Sequence, residues 1–178
     1  MKGRRRFLGH MALSAGAMSW ARGVTAGPAP GAGVRGGRVV STWDFGVAAN
    51  QAAWQRLSTG GSALDAVEQG ARWAESELCN PTVGRCGHPD REGVLTLDAS
   101  IMDGDGRCGA VAALEDIDHP VSVARRVMED TPHVMLVGKG AQQFAMAQGF
   151  RRQRLLTPEA EQAWRAWRER AKYEPQIN

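Results

Sequence analysis

The stretch at residues 94–114, VLTLDASIMDGDGRCGAVAAL, decides the fold of this 178-residue chain. Two apolar runs flank Asp103-Gly104-Asp105-Gly106, and Asp-Gly between such runs is a strong signal for a tight turn. We therefore predict an antiparallel hairpin over residues 94–114. The two acids of the turn would also suit calcium, but the later ligand positions of an EF-hand loop hold Arg107 and Leu114. The stretch is interpreted as a turn.

Helical and extended patterns alternate upstream of this hairpin. Residues 38–43 are rich in β-branched side chains and predict a strand, and the helical pattern at 47–57 stops at Gly60-Gly61. Ser62 followed by Asp65 is a capping-box signature, which opens a second helix. Its predicted apolar stripe consists of Leu64, Val67, Ala71 and Ala74.

The downstream half continues the alternation. Pro120 suits the first position of a helix that ends near Thr131-Pro132, and residues 133–138 predict a short buried strand. Helices are expected at 141–148 and after Thr157-Pro158. The stripe of the last helix is interpreted as packing, and its members are Ala160, Trp164, Trp167 and Ala171. Helices layered on a sheet are therefore expected.

The net charge of +3 raises the question of a nucleic-acid partner. The first 26 residues contain five basic residues and no acidic one, which leaves 17 basic against 19 acidic residues in the remainder. That remainder shows no basic stripe with interleaved aromatic residues to contact phosphates. We expect no nucleic-acid partner.

The first 26 residues have the pattern of an export signal, with a basic segment followed by a short, weakly apolar stretch. Arg4-Arg5-Arg6-Phe7-Leu8 resembles the twin-arginine signal, and cleavage is expected after Ala21 or Ala26. The apolar run is shorter than the roughly 20 residues of a membrane span, and a disordered basic terminus is the alternative. We expect an exported bacterial protein, periplasmic or secreted, without stable membrane insertion. Residues 27–37 predict a Gly/Pro-rich linker.

Three cysteines, Cys79, Cys86 and Cys108, are an odd number for an exported chain. Cys79 and Cys86 could close one loop, and the three thiols with His88 could be drawn as a metal site. The spacing matches none of the usual short zinc motifs. Free thiols or one disulfide are therefore expected, with no metal and no cofactor.

Short catalytic motifs do not identify a reaction. The sequence has no Gly-x-Ser-x-Gly, no His-Glu-x-x-His and no phosphate-binding Gly-x-x-x-x-Gly-Lys. Asp98 and Asp103 could form an acid–base pair, but they flank a hairpin strand and could equally be structural. Residue chemistry alone leads to an exported domain of helices and strands.

Four segments taken together are more specific: STWDFG at 41–46, GGSALDAV at 60–67, PDREGVLTLDA at 89–99 and PVSVARRVMEDTPHVMLVG at 120–138. They resemble the N-terminal half of the glycosylasparaginases (aspartylglucosaminidases), N-terminal-nucleophile hydrolases of the asparaginase type. The resemblance extends over residues 38–178. It implies an α+β fold, a four-layer αββα sandwich, of which this chain is the N-terminal (α-subunit) half of a self-cleaving precursor.

The resemblance also implies a reaction, hydrolysis of the amide that joins N-acetylglucosamine to the asparagine side chain. The family's nucleophile is a Thr at the start of the β chain, with its own α-amine as base. It is expected beyond Asn178, since Tyr173-Glu174-Pro175 resembles the segment that precedes it and Asp130-Thr131 matches another part of the family. The chain alone is expected to be inactive. Its expected partners are a β subunit from the same precursor, in an (αβ)2 assembly, and a small glycoasparagine substrate.

The resemblance assigns three residues of this sequence to substrate binding. Trp43 and Phe45 match the aromatic pair that walls the family's pocket, and Thr82 aligns with a small hydroxyl residue near the scissile bond. For both Phe45 and Trp43, a purely structural role is the alternative. Cys86 stands at a family glycine position, and a left-handed conformation there would cost about 1 kcal/mol or more.

Two other functions remain open from the sequence. One is a neighbouring member of the superfamily, a plant-type asparaginase or isoaspartyl peptidase. The other is a non-catalytic truncated product or binding module.

Overall fold

The computed structural model describes residues 37–77 and 80–171. The predicted leader, the linker up to residue 36, Cys79 and Tyr173-Glu174-Pro175 lie outside the described residues. The elements in chain order are α1 (Gly46–Ser58), α2 (Ala63–Ser76), a short 3-10 helix (Gly84–Cys86), β1 (Thr96–Met102), β2 (Cys108–Glu115), α3 (Pro120–Asp130), β3 (Met135–Val137), α4 (Gly138–Ala147) and α5 (Pro158–Arg170). The mixture of helices with one small sheet confirms the α+β class. None of the helices described is long and apolar enough to cross a membrane.

The predicted hairpin is confirmed by antiparallel pairing of β1 with β2, in which Ser100 lies opposite Ala110. The carboxylate of Asp103 closes the turn, because it accepts the backbone N–H groups of Asp105 and Arg107 at 3.0 and 2.9 Å. β3 pairs with β2 in parallel, which gives the strand order β1-β2-β3. Within the described ranges, β1 and β3 are therefore the two edges of the sheet.

One face of the sheet is covered by α3. Ile101 and Val111 belong to the same apolar core as Val123 and Val127 of that helix, and all four are buried. Gly109 allows the close approach, since a Cβ there would overlap the carbonyl oxygen of Ala124. Helix α4 adds Ala141 and Ala145 to this core.

The opposite face of the sheet is accessible. The strand register places seven side chains on it, and none of them is buried: Ser100, Met102, Cys108, Ala110, Ala112, Met135 and Val137. We call these seven residues the open face. Met102 is 63% exposed and Val137 is 56% exposed, which is unusual for apolar strand residues.

Helices α1 and α2 pack against each other and are joined by the four-residue connection Thr59-Gly60-Gly61-Ser62. The capping box is confirmed, because Ser62 Oγ accepts the Asp65 N–H and the Asp65 carboxylate accepts the Ser62 N–H. Gly70 allows the two helices to pack closely, because a Cβ at this position would lie only 3.0 Å from the Ala49 carbonyl oxygen. Val67 is 49% exposed, so the predicted stripe is wrong at that position.

Two predicted strands differ from the structure. Residues 38–43 form no strand, because none of the described strands pairs with them, and β-branched residues favour a strand only where a neighbour supplies the ladder. The strand at 133–138 exists as β3, but it is not buried, since it is an edge strand whose Met135 and Val137 lie on the open face. Helix α4 follows at once and begins three residues earlier than predicted.

Helix α5 begins as predicted, with Thr157 Oγ1 accepting the Ala160 N–H at 3.2 Å. Trp164 packs as expected: its ring lies against Gly93, and its Nε1 donates to the Arg91 carbonyl oxygen at 3.1 Å. Trp167 is 43% exposed and is not packed in the way predicted for the stripe. The helix is thereby fixed to the loop that precedes β1.

Candidate active-site cleft

A cleft of about 410 Å³ runs along the free edge of β1. Its walls come from the start of α1, the end of α2, the loop before the 3-10 helix and the start of α3. The lining side chains that carry polar or aromatic groups are Phe45, Glu75, Thr82, Thr96, Asp98 and Ser100. Phe45 and Thr82, two of the three predicted binding residues, therefore share one cleft.

The aromatic corner is formed by Trp43 and Phe45, whose rings stack with centroids 6.5 Å apart and planes 5° from parallel. The backbone makes a turn here, since Gly46 N–H donates to the Trp43 carbonyl oxygen at 2.9 Å, and Phe45 is the N-cap of α1. Trp43 is 70% exposed and lines an adjoining groove of about 260 Å³, which it shares with Phe45. The two rings stack on each other because the backbone turns here, and the segment is not a strand.

Thr82 is oriented by a buried neighbour in its own loop. Asn80 is 6% exposed, and its Oδ1 accepts hydrogen bonds from the Thr82 N–H at 3.0 Å and the Thr82 hydroxyl at 2.6 Å. The Nδ2 of Asn80 has no hydrogen-bond partner in the described part of the chain. The threonine itself remains exposed to the cleft.

The same loop contains the unusual Cys86. The left-handed conformation belongs to Gly84 (φ +66), and Cys86 does not adopt a positive φ. The condition for strain at Cys86 is therefore not met. Its Sγ lies 3.9 Å from the Thr157 hydroxyl oxygen.

The cysteines described show no disulfide. Cys86 and Cys108 are free thiols, and the possible partner Cys79 lies outside the described residues. Across residues 37–77 and 80–171, no group of three or more His, Cys, Asp or Glu side chains could hold a metal ion.

Glu75 forms part of the cleft floor, although its side chain is almost completely buried, at 7% exposure. One carboxylate oxygen accepts the Val121 N–H at 3.0 Å, and the other lies 3.2 Å from His119 Nδ1. His119 has a left-handed backbone, with φ +58, and is the N-cap of α3. Neither residue was predicted; the signal was a lone acid four residues after Ala71, on the apolar side of α2.

Asp98 and Asp103 are structural and do not form an acid–base pair. Asp98 Oδ1 accepts the Ala113 N–H at 2.7 Å across a bulge in the hairpin, where Ala113 has φ +50. For Asp103, desolvation raises the carboxyl pKa, but hydrogen bonds from Arg107 and Asp105 outweigh it, so the net pKa lies below the usual range. Each acid holds a different part of the backbone of the one hairpin to which both belong.

Behind the cleft, α2 and α3 are joined by a charged cluster. Arg125 Nη1 donates to Asp65 at 2.8 Å and to Glu68 at 2.7 Å, and its Nε donates to Glu129 at 2.8 Å. The hydrogen bond from Arg125, with those from Ser62, lowers the pKa of Asp65 to about 2. The cluster fixes the spacing of the two helices that form the cleft walls.

The fold and the cleft define a class: an α+β domain with an aromatic corner, a hydroxyl-lined cleft and an unpaired strand edge. The model of the asparaginase family (type 2) matches residues 28–178. The chain belongs to this family, which confirms the resemblance seen in its sequence.

Three curated relatives carry the name N(4)-(beta-N-acetylglucosaminyl)-L-asparaginase. One from Elizabethkingia miricola is 54% identical over 79% of this chain and 41% of its own length. Those from Rattus norvegicus and Mus musculus are 50% and 51% identical over 67% of this chain and 34% of their length. The chain thus matches about two fifths of the first relative and about a third of the other two.

Proposed function

We propose that this chain is the α half of an enzyme that hydrolyses the amide between N-acetylglucosamine and the asparagine side chain. The names of the relatives support this reaction, and the matched segment is 41% or less of their length. In the proposal, the remaining length is a β half from the same precursor, with which this chain assembles as (αβ)2. An export signal in the first 26 residues would place the enzyme in the periplasm or outside the cell.

The observation that carries the proposal is the cleft along an unpaired strand edge. Phe45 and Thr82 face it, and the Thr82 hydroxyl donates to the amide oxygen of Asn80, which is not a general base. Among the described residues no strand pairs with this edge of β1, so the edge can accept a further strand. A β-half strand at this edge would bring a nucleophilic Thr beside Phe45 and Thr82.

The open face is the second observation in favour of an αββα sandwich, because it offers a surface on which a further sheet could pack. Ala110 and Ala112 at its centre are small, and Met102, Met135 and Val137 surround them with apolar surface. Two sheets pack face to face about 10 Å apart when such side chains interdigitate. We propose that the β half supplies the second sheet.

The proposed chemistry needs no cofactor. The β-chain Thr hydroxyl attacks the side-chain carbonyl carbon of the glycoasparagine, and its proton passes to the Thr α-amine. The glycosylamine leaves with a proton, and water then cleaves the aspartyl ester to give aspartate. Trp43 and Phe45 would hold the substrate, and Thr82 would lie near the scissile bond.

The test is an assay of the complete protein, this chain with its downstream half, on N-acetylglucosaminyl-asparagine and on β-aspartyl dipeptides. We expect release of aspartate from the glycoasparagine with the higher kcat/KM. Preference for the dipeptides would instead assign the protein to the isoaspartyl peptidases. An in-frame stop after codon 178 with no β half elsewhere would contradict the proposal.

A further inference from the structure

The cleft floor contains a buried carboxylate that joins three separate elements. Glu75 lies in the last turn of α2 and is 7% exposed, yet in the described part of the chain its carboxylate contacts the imidazole of His119 and no Lys or Arg. Burial of a carboxylate without an Arg or Lys partner destabilises the fold unless hydrogen bonds compensate for the lost hydration. Its hydrogen bonds show what it holds.

Helix α3 lacks the usual cap at its N-terminus, and Glu75 takes its place. Pro120 has no N–H, and the side chain of the N-cap, His119, makes no capping hydrogen bond. Val121 is then the first residue of the helix that can donate, and Glu75 Oε1 accepts its N–H at 3.0 Å. A carboxylate at this end of a helix is also favoured by the helix dipole.

The second carboxylate oxygen holds a residue in a strained conformation. Glu75 Oε2 lies 3.2 Å from Nδ1 of His119, whose φ of +58 is uncommon for a residue other than glycine. The imidazole Nε2 lies 3.8 Å from Asp118 Oδ2, and Arg85 donates to the same oxygen at 2.7 Å. A chain of polar contacts thus leads from the floor to the 3-10 helix.

The third element is the loop that carries Thr82. Gly84 rests directly on the backbone of Glu75, where a Cβ would overlap the Glu75 carbonyl oxygen. Thr82 is two residues away and faces the same cleft as Pro120 and Val121. Glu75 therefore contacts the Thr82 loop through its backbone and holds the start of α3 through its carboxylate.

We infer that Glu75 is a positioning residue of the active site, acting through the Val121 N–H and His119 rather than on the substrate. This inference rests on the proposed function. Glu75 contacts the elements that carry Thr82 and the cleft floor, whereas Trp43 lies in the adjoining groove. Loss of the Glu75 carboxylate should therefore lower kcat far more than it raises KM.

The experiment compares Glu75→Gln, Glu75→Ala and His119→Gly in the complete protein. Glycine adopts the left-handed conformation without strain, so His119→Gly removes the imidazole and keeps the backbone. We expect kcat to fall at least tenfold in Glu75→Ala and less in Glu75→Gln, with KM changed less than threefold. The effects of Glu75→Gln and His119→Gly should be non-additive because the two side chains are in contact.

Asp116→Asn is the matched control. Asp116 also has a positive φ, at +56, and its carboxylate pairs with Arg152, but it does not line the cleft. A purely structural role for Glu75 would lower Tm and leave kcat within twofold, as expected for the control. That result would overturn the inference.

A second readout does not depend on activity. Hydrogen exchange of the Val121 amide, measured on the complete protein, should accelerate at least tenfold in Glu75→Ala and stay unchanged in Asp116→Asn. Equal exchange in wild type and Glu75→Ala would overturn the inference. An inactive wild type with the expected exchange would contradict the proposed function and leave Glu75 as the group that caps α3.

Discussion

The conformation of single residues in the cleft depends on contacts with neighbours, and a motif search does not detect these contacts. Asn80 Oδ1 accepts from both the N–H and the hydroxyl of Thr82, which fixes the threonine side chain relative to the loop. Gly84 is the one position in this loop where positive φ and a close backbone contact coincide. Both features can be tested by substitution.

We predict that Thr82→Val destabilises the chain by about 1 kcal/mol, because the buried Asn80 oxygen loses its hydroxyl donor. In the complete enzyme, kcat/KM should fall at least tenfold. Thr82→Ser keeps the donor and should retain both properties. Urea unfolding and steady-state kinetics measure the two effects, and a fully active Thr82→Val would remove Thr82 from the site.

Gly84→Ala should be much more destabilising than Gly106→Ala. Both glycines have positive φ, so each substitution costs about 1–2 kcal/mol in backbone strain. Nothing lies within 4 Å of a Cβ at Gly106, whereas a Cβ at Gly84 overlaps the Glu75 carbonyl oxygen. Equal midpoints of urea unfolding for the two variants would contradict the tight contact.

Elements supported by local signals were the predictable part of this fold. The Asp-Gly turn, the Ser62–Asp65 capping box and Pro120 at the first position of α3 each act within a few residues, and all are confirmed. The strand at 38–43 was wrong because pairing depends on a partner distant in sequence. Glu75 was missed for the same reason: its partners lie 44 and 46 residues away.

The contact between α2 and α3 predicts the acid stability of the chain. Arg125 and the Ser62 hydrogen bonds lower the pKa of Asp65 to about 2 from 3.8. A depressed carboxyl pKa stabilises the fold above about pH 3.8, and this contribution is lost as pH falls towards 2. Asp65→Asn should lower Tm at pH 7 and flatten its fall between pH 4 and 2.

Ser62→Ala is the comparison for that variant. It removes the cap acceptor, with a cost of about 1 kcal/mol, and the smaller Ser62 hydroxyl contribution to the Asp65 pKa, but leaves the Ser62 backbone N–H and the contact between Arg125 and Asp65. Its Tm should therefore fall with acid as the wild type does. A steep acid transition that persists in Asp65→Asn would show that other carboxyl groups control it.

The whole molecule is best described by the surfaces it leaves accessible. Two strand edges and the open face remain uncovered within the described ranges, although one side of the sheet has a well-packed core. The sequence pattern predicted helices layered on a sheet, and the family resemblance implied the α+β class. The further layers of the proposed sandwich would depend on contacts outside this chain, so the family resemblance, and not periodicity, led to that proposal.

We predict that the double substitution Met135→Lys and Val137→Lys affects the isolated chain and the complete protein differently. Both side chains are at least half exposed, so the isolated chain should lose no more than about 0.5 kcal/mol. In the complete protein a covering sheet would bury two charges, and assembly and activity should be lost. Met146→Lys, on the exposed part of α4, is the control and should assemble normally.

The central claim is that this chain forms a substrate-binding wall and that the attacking hydroxyl belongs to a companion half. The most direct measurement incubates N-acetylglucosaminyl-asparagine with the purified 178-residue chain and, in parallel, with the complete protein, and follows the release of aspartate. We expect turnover by the complete protein and none by the chain alone. Hydrolysis by the 178-residue chain, abolished by substitution of one of its own hydroxyl residues, would contradict the account.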